Sequence, residues 1–309
     1  MTATAGFRIA SRLGLATTVL MFGLMIVGSI VRTTGSGLAC PDWPLCQGRL
    51  IPPFEFHVLI EWFHRLLALL VSVLLVSTVG WTLIHAPLRA RLGGLGLLAV
   101  SLLAAQIILG ALTVWKLLDP GIVGGHLGVA LLLFSTILTL TLVAQAEAEP
   151  EEDLLARPAG LLPLAGLTTL AAFGQCILGG LVAAHHAGLA CPDWPTCNGE
   201  WFPPLQGLAG LQMLHRFGAY AFTALVIITA ICARLAPDAG VRAGAAMALG
   251  LTMAQVVLGV TSVYLGTPPW LVAAHLATAI TILAMLVTVT FRVALLPATV
   301  GGLVPGEAR

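Results

Sequence analysis

The sequence predicts an all-α polytopic membrane protein, with eight transmembrane helices arranged as two pseudo-two-fold-related four-helix bundles. Three observations predict it. Only 9% of the chain is charged, and its mean hydropathy is +1.02. Its apolar residues fall into eight runs, each close to the ~20 residues that a helix needs to cross ~30 Å of hydrocarbon. The chain also repeats itself half-way along its length.

The charge count excludes other classes. Ordinary soluble domains are about 25% charged, and 14 Lys/Arg with 13 Asp/Glu cannot cover a soluble surface of this size without large apolar patches. A net charge of +1 provides no basic field, so no nucleic-acid partner is expected. Continuous apolar runs also differ from the alternating strands of a transmembrane barrel. The expected surroundings are a lipid bilayer.

The eight runs are Leu13–Val31, Leu66–Ile84, Leu92–Trp115, Leu127–Ala146, Leu161–Ala184, Phe217–Ala233, Ala243–Gly266 and Leu271–Phe291. Helices are required because lipid leaves a free backbone N–H or C=O without a partner. Arg8, Arg12, Arg89, Arg91, Arg157, Arg234, Arg242, Arg292 and Arg309 fall on one side of the membrane. Arg32, Arg49, Arg65, Lys116 and Arg216 fall on the other. The excess puts both termini in the cytoplasm, which agrees with an even number of spans. The first run is too long for a removed signal peptide, lacks its small-residue cleavage site, and follows no Arg/Ser-rich transit segment. A prokaryotic inner membrane is expected. Glu147-Ala-Glu-Pro-Glu-Glu-Asp153 reads as a solvated cytoplasmic linker.

That linker separates residues 1–150 from residues 151–309, and the two halves are copies. An offset of 151 lays Leu38-Ala-Cys-Pro-Asp-Trp-Pro-Leu-Cys46 on Leu189-Ala-Cys-Pro-Asp-Trp-Pro-Thr-Cys197, and His64-Arg65 on His215-Arg216. An offset of 149 lays Gln106-Ile-Ile-Leu-Gly110 on Gln255-Val-Val-Leu-Gly259, and His126 on His275. Four spans per copy means that both enter from one side, so the repeat is parallel, with its axis along the membrane normal. Small residues such as Gly174, Gly179, Gly180 and Gly259 are expected to let helices approach closely.

The repeat sorts the eight histidines. His64, His126, His215 and His275 recur, each near the outer start of an even-numbered span. One such residue could simply hydrogen-bond a neighbouring helix; four in register point to function, because an ionisable group in the membrane costs stability. Two histidines on opposing helices of a four-helix bundle can hold a haem through both axial positions. Zinc fits less well, since each half offers only two repeated His and a closed tetrahedral site wants four donors. His85 reads as solvated in a cytoplasmic loop, while His57, His185 and His186 lie near the outer face with no assigned role. Arg65 and Arg216 read as snorkelling anchors, as charge partners for haem propionates, or as both.

Cys40/Cys46 and Cys191/Cys197 lie in outer loops stiffened by Pro and Trp, in an oxidising compartment, which favours a disulfide in each. Closing so short a loop stabilises by about 2.4 kcal/mol before strain. Each pair is either a staple or a redox-active couple exchanging with an external thiol carrier. Cys176 and Cys232 read as small apolar residues within spans.

The copies also diverge. Glu61 stands three residues before His64, where the other copy has Gln212 before His215. Positions i and i+3 share a helix face, so Glu61 is expected to point toward whatever His64 binds. There a carboxylate could take a proton or stabilise positive charge on a reacting carbon. Arg32, Thr33 and Thr34 likewise face Ala183, Ala184 and His185. The N-terminal half reads as a reaction site and the C-terminal half as a fixed cofactor site.

Eight spans in two halves, Glu61-x-x-His64-Arg65, paired cysteine loops and four helix-borne histidines together resemble the haem A synthase family, from Arg12 to Arg292. The resemblance implies oxidation of the C8 methyl of haem O to the formyl group of haem A, for cytochrome oxidase. It implies that His64 and His126 are axial ligands of the substrate haem and that His215 and His275 hold the iron of a permanent haem b. The family's essential glutamate matches Glu61, and its loop disulfide matches Cys40–Cys46. Haem O would be handed over by haem O synthase. The electron acceptor, a homo-oligomeric state and the function of haem b stay open on the sequence. Two rivals use part of the same residues: a dihaem b-type quinol-oxidising electron carrier, and a membrane thiol–disulfide oxidoreductase working through Cys40/Cys46.

Overall fold

The computed structural model describes residues 2–149 and 156–298. These residues form eight α-helices: α1 (Ala3–Thr33), α2 (Phe56–Ile84), α3 (Ala86–Trp115), α4 (Pro120–Ala148), α5 (Leu161–Ala184), α6 (Gly207–Ala233), α7 (Ala239–Tyr264) and α8 (Pro269–Leu295). A 3₁₀ turn, Ala187–Leu189, follows α5, and no strand occurs among the described residues. All eight are long and apolar enough to cross a membrane, which makes this a multi-pass membrane protein.

Most helices start earlier than the apolar runs do, and capping explains several of these starts. Thr2 Oγ1 accepts from Ala5 N at 3.3 Å, before α1. Asp119 Oδ1 accepts from Gly121 N and Ile122 N at 3.0 and 3.1 Å, ahead of Pro120 at the first helical position. Asp238 takes Gly240 N and Val241 N in the same way before α7. An acceptor there satisfies donors that have no intrahelical partner. At the other end, α1 stops where Gly35 turns left-handed (φ 70°), letting Ser36 N reach back to Val31 O.

The helices form two rings. In one, α1 and α3 each pack against both α2 and α4; in the other, α5 and α7 each pack against both α6 and α8. Contacts of α1 with α8, and of α4 with α5 and α8, join the rings. Leu75, Leu131, Ile137, Ile280, Leu283 and Leu286 are fully buried, whereas Leu69, Val73, Leu97, Ile108, Leu170 and Val257 face outward, as lipid contact allows. Lipid tails are as apolar as leucine, so close packing and hydrogen bonds must hold the helices together. Thr17 Oγ1 lies 3.1 Å from Thr78 Oγ1, and Thr168 Oγ1 lies 2.7 Å from Thr229 Oγ1. Both members of the second pair are 151 residues beyond the first, so the repeat extends to interhelical bonds.

Between the rings, α4 and α5 interlock. A Cβ at Gly180 would lie 2.3 Å from Leu127 Cδ2, and one at Gly124 would lie 2.7 Å from Leu181 Cδ2. Each glycine receives the other helix's leucine. Gly174 does not share this use, since nothing lies within 4 Å of a Cβ there. Replacing Gly180 with Val should cost about 1–3 kcal/mol by overpacking and lower the thermal midpoint in detergent. Gly174→Ala should leave the midpoint where it is, and equal effects would remove the interlock from the argument.

Of the acidic linker, Glu147 pairs with Arg91 at 2.6 Å. Pro150–Asp153 and Arg309 lie outside the described residues.

Candidate functional site

The loops between α1 and α2 and between α5 and α6 have one design. Disulfides Cys40–Cys46 and Cys191–Cys197 close them, with Cα–Cα distances of 4.6 and 4.7 Å. Inside the first, the Asp42 carboxylate accepts from Gln47 N at 2.6 Å and Gly48 N at 2.7 Å. The Gly48 amide first, then that of Gln47 and the charge of Arg65, hold its pKa below the usual carboxylate range. Asp193 is held lower still, first by the Thr196 hydroxyl and then by the Gly199 and Asn198 amides. All four cysteine residues are at most 1% exposed.

One arginine from the following helix reads each loop. Arg65 donates to the carbonyls of Cys40 (2.7 Å), Asp42 (2.6 Å) and Leu45. Arg216 donates to those of Cys191 (2.7 Å), Asp193 (2.7 Å) and Thr196. A guanidinium can fork between carbonyls in this way; an ammonium on a flexible stem cannot. Arg216→Lys should therefore loosen its loop. We expect about a tenfold rise in amide exchange at Cys197 and Glu200, which corresponds to one lost charged hydrogen bond of about 1.5 kcal/mol. Unchanged exchange would mean that the disulfide alone holds the loop.

The copies differ beneath these arginines. Glu61 is buried, and both its oxygens are engaged: Oε1 with Arg65 Nη2 at 2.6 Å, and Oε2 with Cys40 N at 2.8 Å. The carboxylate thus ties α2 to the disulfide loop, one turn from His64. Gln212 keeps only a 3.3 Å contact from Nε2 to Gly188 O, and its Oε1 is buried without a partner. Arg216 has no carboxylate within ion-pair distance among the described residues.

The four repeated histidines lie inside their helices rather than at the mouths. His64 and His215 are eight residues in from Phe56 and Gly207, about 12 Å along the helix axis. His126 and His275 are six residues in from Pro120 and Pro269. Each imidazole rests against a glycine of the preceding helix. A Cβ would fall 3.1 Å from His64 Cε1 at Gly28 and 3.4 Å from His126 Cε1 at Gly110. The corresponding distances are 2.9 Å for His215 at Gly179 and 3.0 Å for His275 at Gly259. These glycines recur at the offsets of their histidines, 151 and 149.

The imidazoles keep coordinating capacity. Nδ1 of His64, His126 and His275 is buried without a partner, an arrangement that costs free energy unless something uses the ring. Gln106 Nε2 sits 3.2 Å from His126 Nε2, and Gln175 Nε2 sits 2.9 Å from His215 Nδ1. Within a ring, α2 and α4 occupy opposite corners, as do α6 and α8. Among the described residues, no three His, Cys, Asp or Glu side chains gather to hold a bare metal ion. Two imidazoles per ring, on opposite helices, fit the axial demand of a haem iron and not the four donors of structural zinc.

The remaining histidines are placed differently. His57 is exposed and joins Ser36 Oγ through Nδ1 at 2.9 Å, and Ser36 joins Thr34 at 2.7 Å. His185 and His186 are exposed beside the end of α5. His85 lies against Trp81, with ring centroids 4.2 Å apart. At the end of α1, Arg32 donates to Ala183 O, in the last turn of α5, at 2.8 Å; the cation suits that helix terminus. Gln175, the seating of the imidazoles on glycines and the Arg–carbonyl forks are not singled out by the sequence patterns above. The glycines carried a signal in their shared offsets.

Comparison with known proteins covers the part of the chain that carries these residues. A family model for COX15-CtaA, described as cytochrome oxidase assembly protein, matches residues 11–59 and 53–287. A heme A synthase of Methylobacterium sp. (strain 4-46) is 32% identical, over 87% of this chain and 87% of its own. One from Symbiobacterium thermophilum is 32% identical over 79% and 82%, and one from Shewanella oneidensis is 28% identical over 88% and 93%. With both disulfide loops and all four seated histidines inside the matched region, the chain belongs to the COX15-CtaA family of cytochrome oxidase assembly proteins.

Proposed function

We propose that this protein is a haem A synthase, an oxidoreductase that converts the C8 methyl of haem O to the formyl group of haem A. The observation that carries this reading is the copy-specific carboxylate. Glu61 is fixed beside one histidine pair, while the equivalent Gln212 cannot accept a proton.

In this reading His64 and His126 hold the iron of haem O, whose isoprenoid tail lets it enter sideways from the bilayer after handover from haem O synthase. The overall change consumes one water and releases four protons and four electrons. The methyl is first oxidised to an alcohol, and the alcohol then to the aldehyde. Glu61 accepts a proton or stabilises positive charge at the carbon under oxidation. Arg65 holds the carboxylate in place, and the Cys40 amide fixes its second oxygen. Water is the oxygen source.

His215 and His275 hold haem b, which when bound supplies a one-electron relay toward an external acceptor. The glycine seats suit that assignment, being tighter at Gly179 and Gly259 than at Gly28 and Gly110. Arg216 carries a buried positive charge suited to a haem propionate; Arg65 already has Glu61 and so suits one less. The disulfides serve as staples, since buried sulfurs are poor targets for an external thiol carrier. Residues 1–150 form the substrate half and 151–309 the haem b half, with both termini cytoplasmic and the cysteine loops on the outer face.

Co-expression with a source of haem O, followed by chromatography of the extracted haems, tests the reading. Haem A appearing only when the protein is present supports it. Haem b alone, with haem O left unconverted, would instead fit a dihaem electron carrier.

A further inference from the structure

The two histidine pairs sit at matching helix positions on matching glycines, yet one is proposed to keep its haem and the other to release it. The difference nearest the ligands is at the residue beside His215. Gln175 of α5 points its amide at that side chain, with Nε2 2.9 Å from His215 Nδ1 and 2.8 Å from the His215 carbonyl oxygen. Space for the amide exists because residue 218 is glycine: a Cβ there would fall 2.3 Å from Gln175 Oε1.

The other copy has neither part. At the offset of 151, Gln175 corresponds to Leu24 and Gly218 to Leu67. Leu24 packs against the apolar core. No side chain there offers His64 a hydrogen bond, and its Nδ1 is buried without a partner. At these two positions, the polar partner and the gap that admits it occur together in one copy and are absent together from the other.

We infer that Gln175, admitted by Gly218, is the positioning residue that makes the C-terminal haem site permanent, whereas Leu24 and Leu67 leave the N-terminal site exchangeable. This rests on the haem b assignment above. The nitrogen of a ligating imidazole that does not bind metal normally donates to an acceptor, which fixes ring orientation and raises ligand basicity. In the orientation described, the amide N–H groups donate to Nδ1 and to the carbonyl oxygen, which leaves the ring proton on Nε2. Ligation through Nε2 moves that proton to Nδ1, and the amide turns about its soft terminal torsion to present Oε1. Glutamine serves both states because its amide donates and accepts. Leucine serves neither.

The test compares full-length wild type with Gln175→Met and Gln175→Glu, each purified in detergent with its haem. Loss of the b-type spectrum to excess apomyoglobin gives a release rate, and a redox titration gives the midpoint potential. Methionine fills the space over Gly218 without an acceptor, and should release haem about 10–100-fold faster. Glutamate keeps an acceptor for Nδ1–H, and should hold haem within a few-fold of wild type at a lower midpoint potential. Release by Gln175→Met within two-fold of wild type, or release by Gln175→Glu as fast as by Gln175→Met, overturns the inference and leaves a packing role. A wild type without a bis-histidine b-type spectrum, or a His215→Ala variant that keeps it, overturns the haem b assignment and the inference with it.

Discussion

Glu61→Gln is expected to cut haem A formation by about 10²–10⁴-fold, the range typical for removing a positioned acid–base group, while the b-type haem stays bound. Glutamine is a fair probe because the fold already carries it at the equivalent position, Gln212. Its volume is matched, so the helix should form as before. What changes is charge and acceptor count. An amide offers one oxygen where the carboxylate offers two, and Glu61 uses both, toward Arg65 and the Cys40 amide. One of those donors must lose its partner, at a cost of about 1–3 kcal/mol. Some of the lost activity could therefore come from a looser loop. Arg65→Lys separates the two effects, because it weakens the loop and keeps the carboxylate. If the chemistry resides in Glu61, Arg65→Lys retains far more activity than Glu61→Gln at equal loop exchange. Extracted haems resolved by chromatography give the readout, with haem O or its hydroxymethyl form accumulating in Glu61→Gln. Wild-type amounts of haem A from that variant would end the proposed role.

How much of this the sequence could reveal depends on the kind of interaction. The eight helices were legible because every span must satisfy its own backbone, which forces long apolar runs. Several starts were not, since Glu61, His64 and Arg65 make the apolar run look as though it starts at Leu66, yet α2 begins at Phe56. Glu61 and Arg65 are turned toward partners, and hydropathy averaged along the chain cannot see direction. The histidines were legible because they recur; His57 and His185 show that an unrepeated histidine stays ambiguous. Main-chain partners were out of reach: the carbonyls that Arg65 and Arg216 grip carry no residue identity. The sequence leaves these arginines as interfacial anchors, propionate partners or both, and nothing in it marks the loop carbonyls to which their guanidiniums also donate. The same holds for Glu61, expected to face the ligand of His64 and found tied to the Cys40 amide as well. Gln175 was hidden for the opposite reason. It has no repeat partner, so a search for shared residues passes over it, and only the aligned difference from Leu24 reveals it.

The second large effect separates the two histidine pairs. His215→Ala should abolish the low-spin b-type spectrum of the purified protein, whereas His64→Ala should keep that spectrum and lose conversion of haem O. Depth cannot produce such a difference: both residues are eight positions from their helix starts, and both rest on a glycine. Any asymmetry must come from their neighbours, Glu61 and Leu24 around His64 against Gln212 and Gln175 around His215. Truncation also leaves a cavity of imidazole size, because Gly179 supplies no side chain to fill it. Added imidazole should therefore restore the spectrum of His215→Ala, which a misfolded protein would not allow. Spectral loss in His64→Ala, with retention in His215→Ala, would exchange the roles of the two halves. Glu61 would then stand beside the permanent haem, and its place in only one copy would have to be explained by that haem's redox chemistry instead of by substrate oxidation.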